Sequence, residues 1–128
     1  MKRLIFTLIA SVMMIAAFAK DKAEITFKTT EHDFGYIKED GGSVSCEFEF
    51  TNTGNKPLLI IDAVPSCGCT RPEYPKRPIA PGDTGIIKVE YQPLGRTGAF
   101  KKDIRVNTNG KEKKVIRYII GVTIPGKK

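Results

Sequence analysis

The fold is decided by a stretch that alternates apolar and polar side chains, SVSCEFEFTNT at residues 43–53. Its apolar members are Val44, Cys46, Phe48 and Phe50. Side chains two residues apart share one face of a β-strand. The pattern therefore predicts a half-buried strand with one face against a core.

Segments with the same period of two recur along the chain, and Gly, Pro and Asn turns separate them. The predicted strands cover residues 23–28, 34–37, 43–53, 58–64, 84–91, 100–108 and 115–124. No segment of ten or more residues shows a clear helical period. The chain is therefore predicted to be all-β, an immunoglobulin-like sandwich of about seven antiparallel strands in two sheets.

Two strands and one loop carry more specific expectations. Residues 58–64 are almost continuously apolar, which predicts a central strand covered on much of both faces. Five of the eight prolines lie between residues 65 and 81, so we expect an ordered loop there, docked through Tyr74 and Ile79, and no central strand. In the last strand, alternation predicts that Arg117 points outward. The residues predicted to point inward are Ile116, Tyr118, Ile120, Val122 and Ile124.

The N-terminus is typical of a secretory signal peptide. Lys2 and Arg3 precede an apolar run at residues 4–18, and Ala17-Phe18-Ala19 has the small-x-small pattern of a cleavage site. We therefore predict a signal peptide at residues 1–19 and a sandwich domain at residues 20–128. The run is shorter than the roughly 20 apolar residues that span a bilayer, so we expect an exported protein, periplasmic or extracellular, with no transmembrane span after cleavage.

Composition narrows the partners and the chemistry. Cleavage removes two of the 21 Lys and Arg residues, which leaves 19 against 14 Asp and Glu, a net charge of +5. A mildly basic exported protein has little access to nucleic acid, so we expect its partner to be a protein or another envelope component. There is one His, His32, and no nucleophile motif, and Glu47 and Glu49 lie on a solvated strand face. We therefore expect no enzymatic activity and no cofactor.

The three cysteines, Cys46, Cys67 and Cys69, are the candidate site. An odd number in an exported protein implies a free thiol, a metal site or an intermolecular bridge. Cys46 points inward by its parity, and the loop that carries Cys67-Gly68-Cys69 follows the next strand. All three thiols could therefore converge at one end of the sandwich, provided that the chain bends at Pro65-Ser66.

Three interpretations of these cysteines stay open. They are small core residues or a local cross-link, or they bind a soft metal such as Cu(I) or Zn(II), or they perform thiol redox chemistry. For the last, the basic residues Arg71, Lys76 and Arg77 would favour a nearby thiolate, and a Cys67–Cys69 bridge would close a very small, easily reduced ring.

Several short pieces resemble a known family. They are Phe34-Gly35, Phe48-Glu49-Phe50-Thr51-Asn52-Thr53-Gly54, Ser66-Cys67-Gly68-Cys69-Thr70, Pro81-Gly82-Asp83 and Thr108-Asn109-Gly110. In this order they resemble the secreted bacterial domain-of-unknown-function family numbered fifteen-seventy-three. That family is similar to the immunoglobulin-like domains of ASPM, SPD-2 and Hydin proteins, and more distantly to PapD-like chaperones. The resemblance implies a seven-stranded sandwich, export and no enzyme.

The sequence thus predicts an exported binding or scaffolding module of the envelope. The alternative function is a soft-metal or thiol-redox site at Cys67 and Cys69. The sequence indicates neither the partner nor the oligomeric state.

Overall fold

The computed structural model describes residues 21–126 of the chain, so the predicted signal peptide lies outside the described residues. Eight strands make up the regular structure of that part. They are β1 (Ile25–Phe27), β2 (Glu31–Lys38), β3 (Val44–Asn52), β4 (Ile60–Pro65), β5 (Thr70–Glu73), β6 (Thr84–Tyr91), β7 (Gly98–Thr108) and β8 (Lys114–Ile124). No helix in residues 21–126 is long and apolar enough to cross a membrane.

The strands form two four-stranded sheets, in the orders β1-β3-β6-β5 and β2-β8-β7-β4. The predicted all-β sandwich is confirmed. Two details differ from the prediction. The proline-rich segment contributes an extra strand, β5, at a sheet edge. A proline such as Pro72, which has no backbone N–H, is tolerated in an edge strand. The pairing of β2 with β8 is parallel, whereas the other pairings between these strands are antiparallel.

The predicted alternation of β3 is confirmed, and β6 is its partner in the core. Cys46 pairs with Val89 and Phe48 pairs with Ile87 across the ladder. All four side chains are buried. The alternation of apolar and polar residues in β3 therefore builds the centre of one sheet, as expected of a half-buried strand.

The expectation of a central strand at residues 58–64 is wrong. β4 is an edge strand that pairs with β7 alone. Ile60 is buried but Ile61 is 55% exposed, because the pairing register shifts between Ile60 and Asp62. A continuous apolar run does not distinguish a strand covered on both faces from an edge strand with an exposed apolar face.

The expected orientation of the last strand is also wrong. The buried residues of β8 are Val115, Ile119 and Thr123, on the opposite parity. Gly121 faces the core because the Phe100 ring occupies the space of its missing side chain. Arg117 is half-buried on the same parity as Gly121.

One contact of Arg117, and the packing of the Phe100 ring that lies next to Gly121, accommodate the polar and small residues of β8 on the inner side. The Arg117 guanidinium lies 4.5 Å from the centre of the Phe27 ring, a cation–π contact that suits a cation at the rim of a core. The Phe100 ring stacks on Tyr91 with 4.3 Å between the ring centres. As a result, the more apolar side of β8 faces outward.

Candidate functional site

The loop between β4 and β5 carries two of the predicted site residues and crosses from one sheet to the other. The Ser66 amide donates to the Asp103 carbonyl on β7 at 2.9 Å, and the Gln92 amide after β6 donates to the Cys69 carbonyl at 2.9 Å. Each end of the loop is therefore fixed to a different sheet, and Cys67 and Cys69 lie between them. Tyr74 and Ile79, farther along, pack on the core as predicted.

Cys67 and Cys69 form a disulfide. The two sulfurs differ in their surroundings: Cys69 is 6% exposed, whereas Cys67 is half-buried. The Cys69 amide donates to Cys67 Sγ at 3.1 Å, and Thr70 Oγ1 lies 3.7 Å from Cys69 Sγ. Gly68 adds no side chain, and the space where its Cβ would be is open. Of the two cysteines, Cys67 is therefore the more exposed to solvent.

A shallow surface pocket of about 360 Å³ adjoins the disulfide. Its lining residues are Ser43, Gly68, Cys69, Arg71, Glu90 and Gln92. Arg71 and Glu90 are paired across the β5–β6 ladder. Arg71 thus stands beside the disulfide, as predicted.

Lys76 and Arg77 do not lie there, which corrects the prediction. The Lys76 ammonium lies 3.4 Å from the centre of the Tyr74 ring, and Arg77 lines a separate pocket with Thr84 at the start of β6. Because β5 is extended, each residue carries the chain about 3.3 Å farther from the disulfide along β6.

Cys46 is separated from the other two cysteines by a whole strand. β6 pairs with β3, which carries Cys46, on one side and with β5 on the other, so Cys46 and β5 stand about 10 Å apart across the sheet. Burial, and secondarily the Glu47 carboxylate, raises the pKa of the Cys46 thiol to about 11. The structure therefore does not bring the three thiols together.

No group of three or more His, Cys, Asp and Glu side chains within residues 21–126 is arranged to hold a metal ion. His32 is exposed on β2 and packs against Phe34, with 4.6 Å between the ring centres.

A second candidate site is the outer face of the β2-β8-β7-β4 sheet. Every second residue of β8 points outward there and is apolar or aromatic. These residues are Ile116, Tyr118, Ile120, Val122 and Ile124, here called the β8 row. Ile116 and Ile124 are 36% and 37% exposed. The row spans eight residue steps, or about 26 Å.

The β8 row lies between two strands that each carry charges of both signs, since Lys38 of β2 pairs with Ile124 and Asp103 of β7 pairs with Tyr118. Glu31 and Asp33 of β2 pair with Tyr118 and Ile120, while Lys101 of β7 lies on the other side and places its ammonium 4.6 Å from the centre of the Tyr118 ring. Tyr36 of β2, 80% exposed, extends the apolar surface.

This face was not predicted from the sequence, because the more apolar parity of β8 was expected to face the core. The sequence did contain a signal for the observed orientation. Arg117, Gly121 and Thr123 share the other parity, and Gly121 is the residue among them that leaves space for a large neighbouring side chain.

Comparisons with known proteins agree with the fold. A family model described as "Protein of unknown function (DUF1573)" matches residues 25–123. No curated protein matches the sequence.

Among solved structures, a Porphyromonas gingivalis protein of unknown function has a TM-score of 0.68 at 16% identity, over 78% of this chain and 46% of that one. The Vibrio cholerae VesB protease has a TM-score of 0.62 at 15% identity, over 80% of this chain and 32% of that one. The ASH/PapD-like domain 7 of human CEP192 has a TM-score of 0.62 at 12% identity, over 83% of this chain and 89% of that one.

The first two matches show that this chain spans less than half of those longer proteins. Identities this low establish the fold alone. The PapD-like match confirms the predicted immunoglobulin-like sandwich.

Proposed function

This chain belongs to the DUF1573 family of proteins of unknown function, and we propose that it is an exported binding module that docks a partner protein against the β8 row. The observation that carries the proposal is the orientation of β8. The fold places Arg117, Gly121 and Thr123 toward the core and leaves the more apolar parity outside.

An apolar row of this length in contact with water requires a reason. Burying apolar surface contributes about 25 cal/mol per Å², so a strand that turns its apolar side outward forgoes stability that the opposite parity would give. Contiguous exposed apolar surface on a soluble domain commonly marks a protein interface. The β8 row is therefore better suited to a partner than to solvent.

The flanking charges would orient that partner. The β7 side of the row has a net positive charge, from Lys101 and Arg105 against Asp103, and the β2 side has a net negative charge, from Glu31 and Asp33 against Lys38. A shallow hollow of about 260 Å³ over Arg105, bounded by Val64 and Ile116, continues the surface toward β4. Charges at the rim of an interface fix the direction of docking more than they add affinity.

Two further parts of the proposal rest on the sequence. The basic start and the apolar run at residues 4–18 support export to the periplasm or the cell exterior. The exposed position of the single histidine, His32, supports a role without catalysis.

The test compares two faces of the sandwich in the native host. A photo-reactive residue at position 118 should cross-link a discrete partner, and one at Lys88, on the outer face of the opposite sheet, should not. Replacement of Ile116 and Ile124 by Ser should weaken capture of that partner by about tenfold or more. The matched control is Ile86→Ser, because Ile86 is 43% exposed on the other sheet.

Equal cross-linking from both faces, or equal loss of capture in Ile86→Ser, would overturn the proposal. So would cross-links at position 118 that join only two copies of this chain, because the occupant would then be the chain itself.

A further inference from the structure

We propose that the Cys67–Cys69 disulfide is a reversible thiol–disulfide exchange site with a direction: an external thiol enters at Cys67, and Cys69 is the sulfur that leaves. This site is independent of the β8 row, because it lies in the loop between β4 and β5 and beside the end of β6.

Access to the two sulfurs differs. Thiol–disulfide exchange requires the attacking thiolate to approach one sulfur in line with the bond that breaks. Cys69 is 6% exposed and its carbonyl is held by the Gln92 amide. Cys67 is half-buried, which makes it the more exposed of the two residues, and Gly68 between them is itself exposed. An external thiol therefore reaches Cys67 first.

Each sulfur also has a hydrogen-bond donor near it. The Cys69 amide donates to Cys67 Sγ, and an N–H donor stabilises negative charge on that sulfur in the reduced state. The Thr70 hydroxyl, 3.7 Å from Cys69 Sγ, is placed to donate to Cys69 when that sulfur leaves as a thiolate.

The start of the loop is fixed to β7 beside the disulfide. β4 pairs Pro65 with Ile104, and the hydrogen bonds between Ser66 and Asp103 extend that contact by one residue. Cys67 therefore follows directly after the point where the loop is held.

The reaction balances with a dithiol as the external partner. Its first thiolate attacks Cys67 Sγ, the Cys67–Cys69 bond breaks, and Cys69 takes the electron pair and then a proton. The second thiol of the partner displaces Cys67 from the mixed disulfide. The partner ends as a disulfide, and the chain ends with two thiols, having gained two electrons and two protons. The reverse sequence oxidises the chain.

The loop does not depend on the disulfide for its position. The Thr70 amide donates to the Cys67 carbonyl at 3.1 Å, and the bonds from Ser66 and Gln92 fix the two ends of the loop. Opening the disulfide leaves all of these hydrogen bonds available. The two redox states can therefore share one fold, as a reversible site requires.

The experiment uses the full chain with Cys46→Ala, so that no third thiol interferes. In this background Cys69→Ser leaves only Cys67, and Cys67→Ser leaves only Cys69. Each variant is treated with oxidised glutathione at pH 7, and the mixed disulfide is followed by mass spectrometry. We expect Cys69→Ser to react at least about tenfold faster than Cys67→Ser.

The parent chain provides the second measurement. Dithiothreitol should release two thiols while the circular dichroism spectrum stays that of the folded protein, and oxidised glutathione should restore the disulfide. Equal rates in the two variants, or reduction only after unfolding in urea, would overturn the proposal. One equivalent of copper or zinc retained by the reduced chain after dialysis would also overturn it, in favour of a soft-metal site.

Discussion

The orientation of β8 can be tested at one position, by the substitution Gly121→Ala. Gly121 lies on the core-facing parity of the strand, opposite Phe100 in the β7–β8 ladder. A Cβ at this position would lie 2.8 Å from Phe100 Cζ and 3.0 Å from the Gly35 carbonyl oxygen. Both distances are shorter than ordinary van der Waals contact, so the added methyl group must displace a neighbour.

The size of the effect follows from what can move. The Phe100 ring is stacked on Tyr91, which is fully buried, and the Gly35 oxygen belongs to the backbone of β2. Overpacking of a constrained core typically costs about 1–3 kcal/mol. Replacing a strand glycine recovers roughly 0.5–1 kcal/mol of backbone entropy. We therefore expect Gly121→Ala to lower the free energy of unfolding by about 1–2 kcal/mol, and the melting temperature by roughly 5–10 °C.

The assay is urea unfolding followed by circular dichroism. Two alanine variants of adjacent residues serve as internal standards, because Ile119 is fully buried and Ile120 belongs to the β8 row. Ile119→Ala should cost about 2–5 kcal/mol, and Ile120→Ala clearly less. If Gly121→Ala is neutral or stabilising while Ile120→Ala is the more damaging change, β8 faces the other way. The β8 row is then the core, and the proposed docking surface fails with it.

Two further predictions concern buried polar groups of β3. Asn52→Asp should lower the free energy of unfolding by at least about 3 kcal/mol, because the Asn52 amide donates to the carbonyls of Lys56 and Ile79 and a carboxylate cannot. Thermal denaturation measures the loss. The control is Asn55→Asp, an exposed position where the same change should have little effect. The free energy of unfolding should fall as pH rises from about 9 to about 11, because folded Cys46 keeps its proton up to about pH 11 while the unfolded chain loses it near 9.0. Urea unfolding at both ends of this pH window should show a smaller fall in Cys46→Ala. An unchanged fall in that variant would contradict the raised pKa of Cys46.

The parts of the fold that the sequence predicted are those where one local pattern had one solution. In β3, apolar residues alternate with Glu and Ser, so only one parity can face a core. In β8 both parities contain apolar residues, and the choice between them depends on a contact from another strand. Phe100 requires a partner without a side chain, and Gly121 supplies it. Such a contact cannot be read from the periodicity of β8 alone.

The candidate site was predicted in part for a similar reason. Cys67, Cys69 and Arg71 are close in sequence, so a short loop and the first two residues of β5 keep them together. Lys76 comes only five residues after Arg71, but the rest of the extended strand β5 lies between them and carries Lys76 away. The position of Cys46 depended on sheet order, because β6 enters between β3 and β5. Closeness in sequence therefore predicts closeness in space within a short loop, but not across an extended strand or between strands of a sheet.

Some of the short pieces that carry the family resemblance are required by the fold, and others are not. Asn52 fixes the turn before β4 through its amide, and Gly54 passes so close to the backbone at Lys22 that no side chain fits there. A Cβ on Gly110 would lie 2.8 Å from the Ala23 carbonyl oxygen. These residues therefore have sufficient structural reasons for their identity, and they indicate nothing about function.

The Cys67-Gly68-Cys69 piece has no comparable structural reason. Its disulfide closes a loop with a sequence separation of 2, and the chain-entropy relation assigns so small a loop about 1.6 kcal/mol, roughly half the value for a 15-residue loop. Backbone hydrogen bonds hold the same segment without it. Gly68 has no positive φ and no close neighbour, so its conformation would accept a side chain. What the glycine provides is an exposed position without a side chain between the two cysteines, which obstructs an incoming thiol less than a larger residue would.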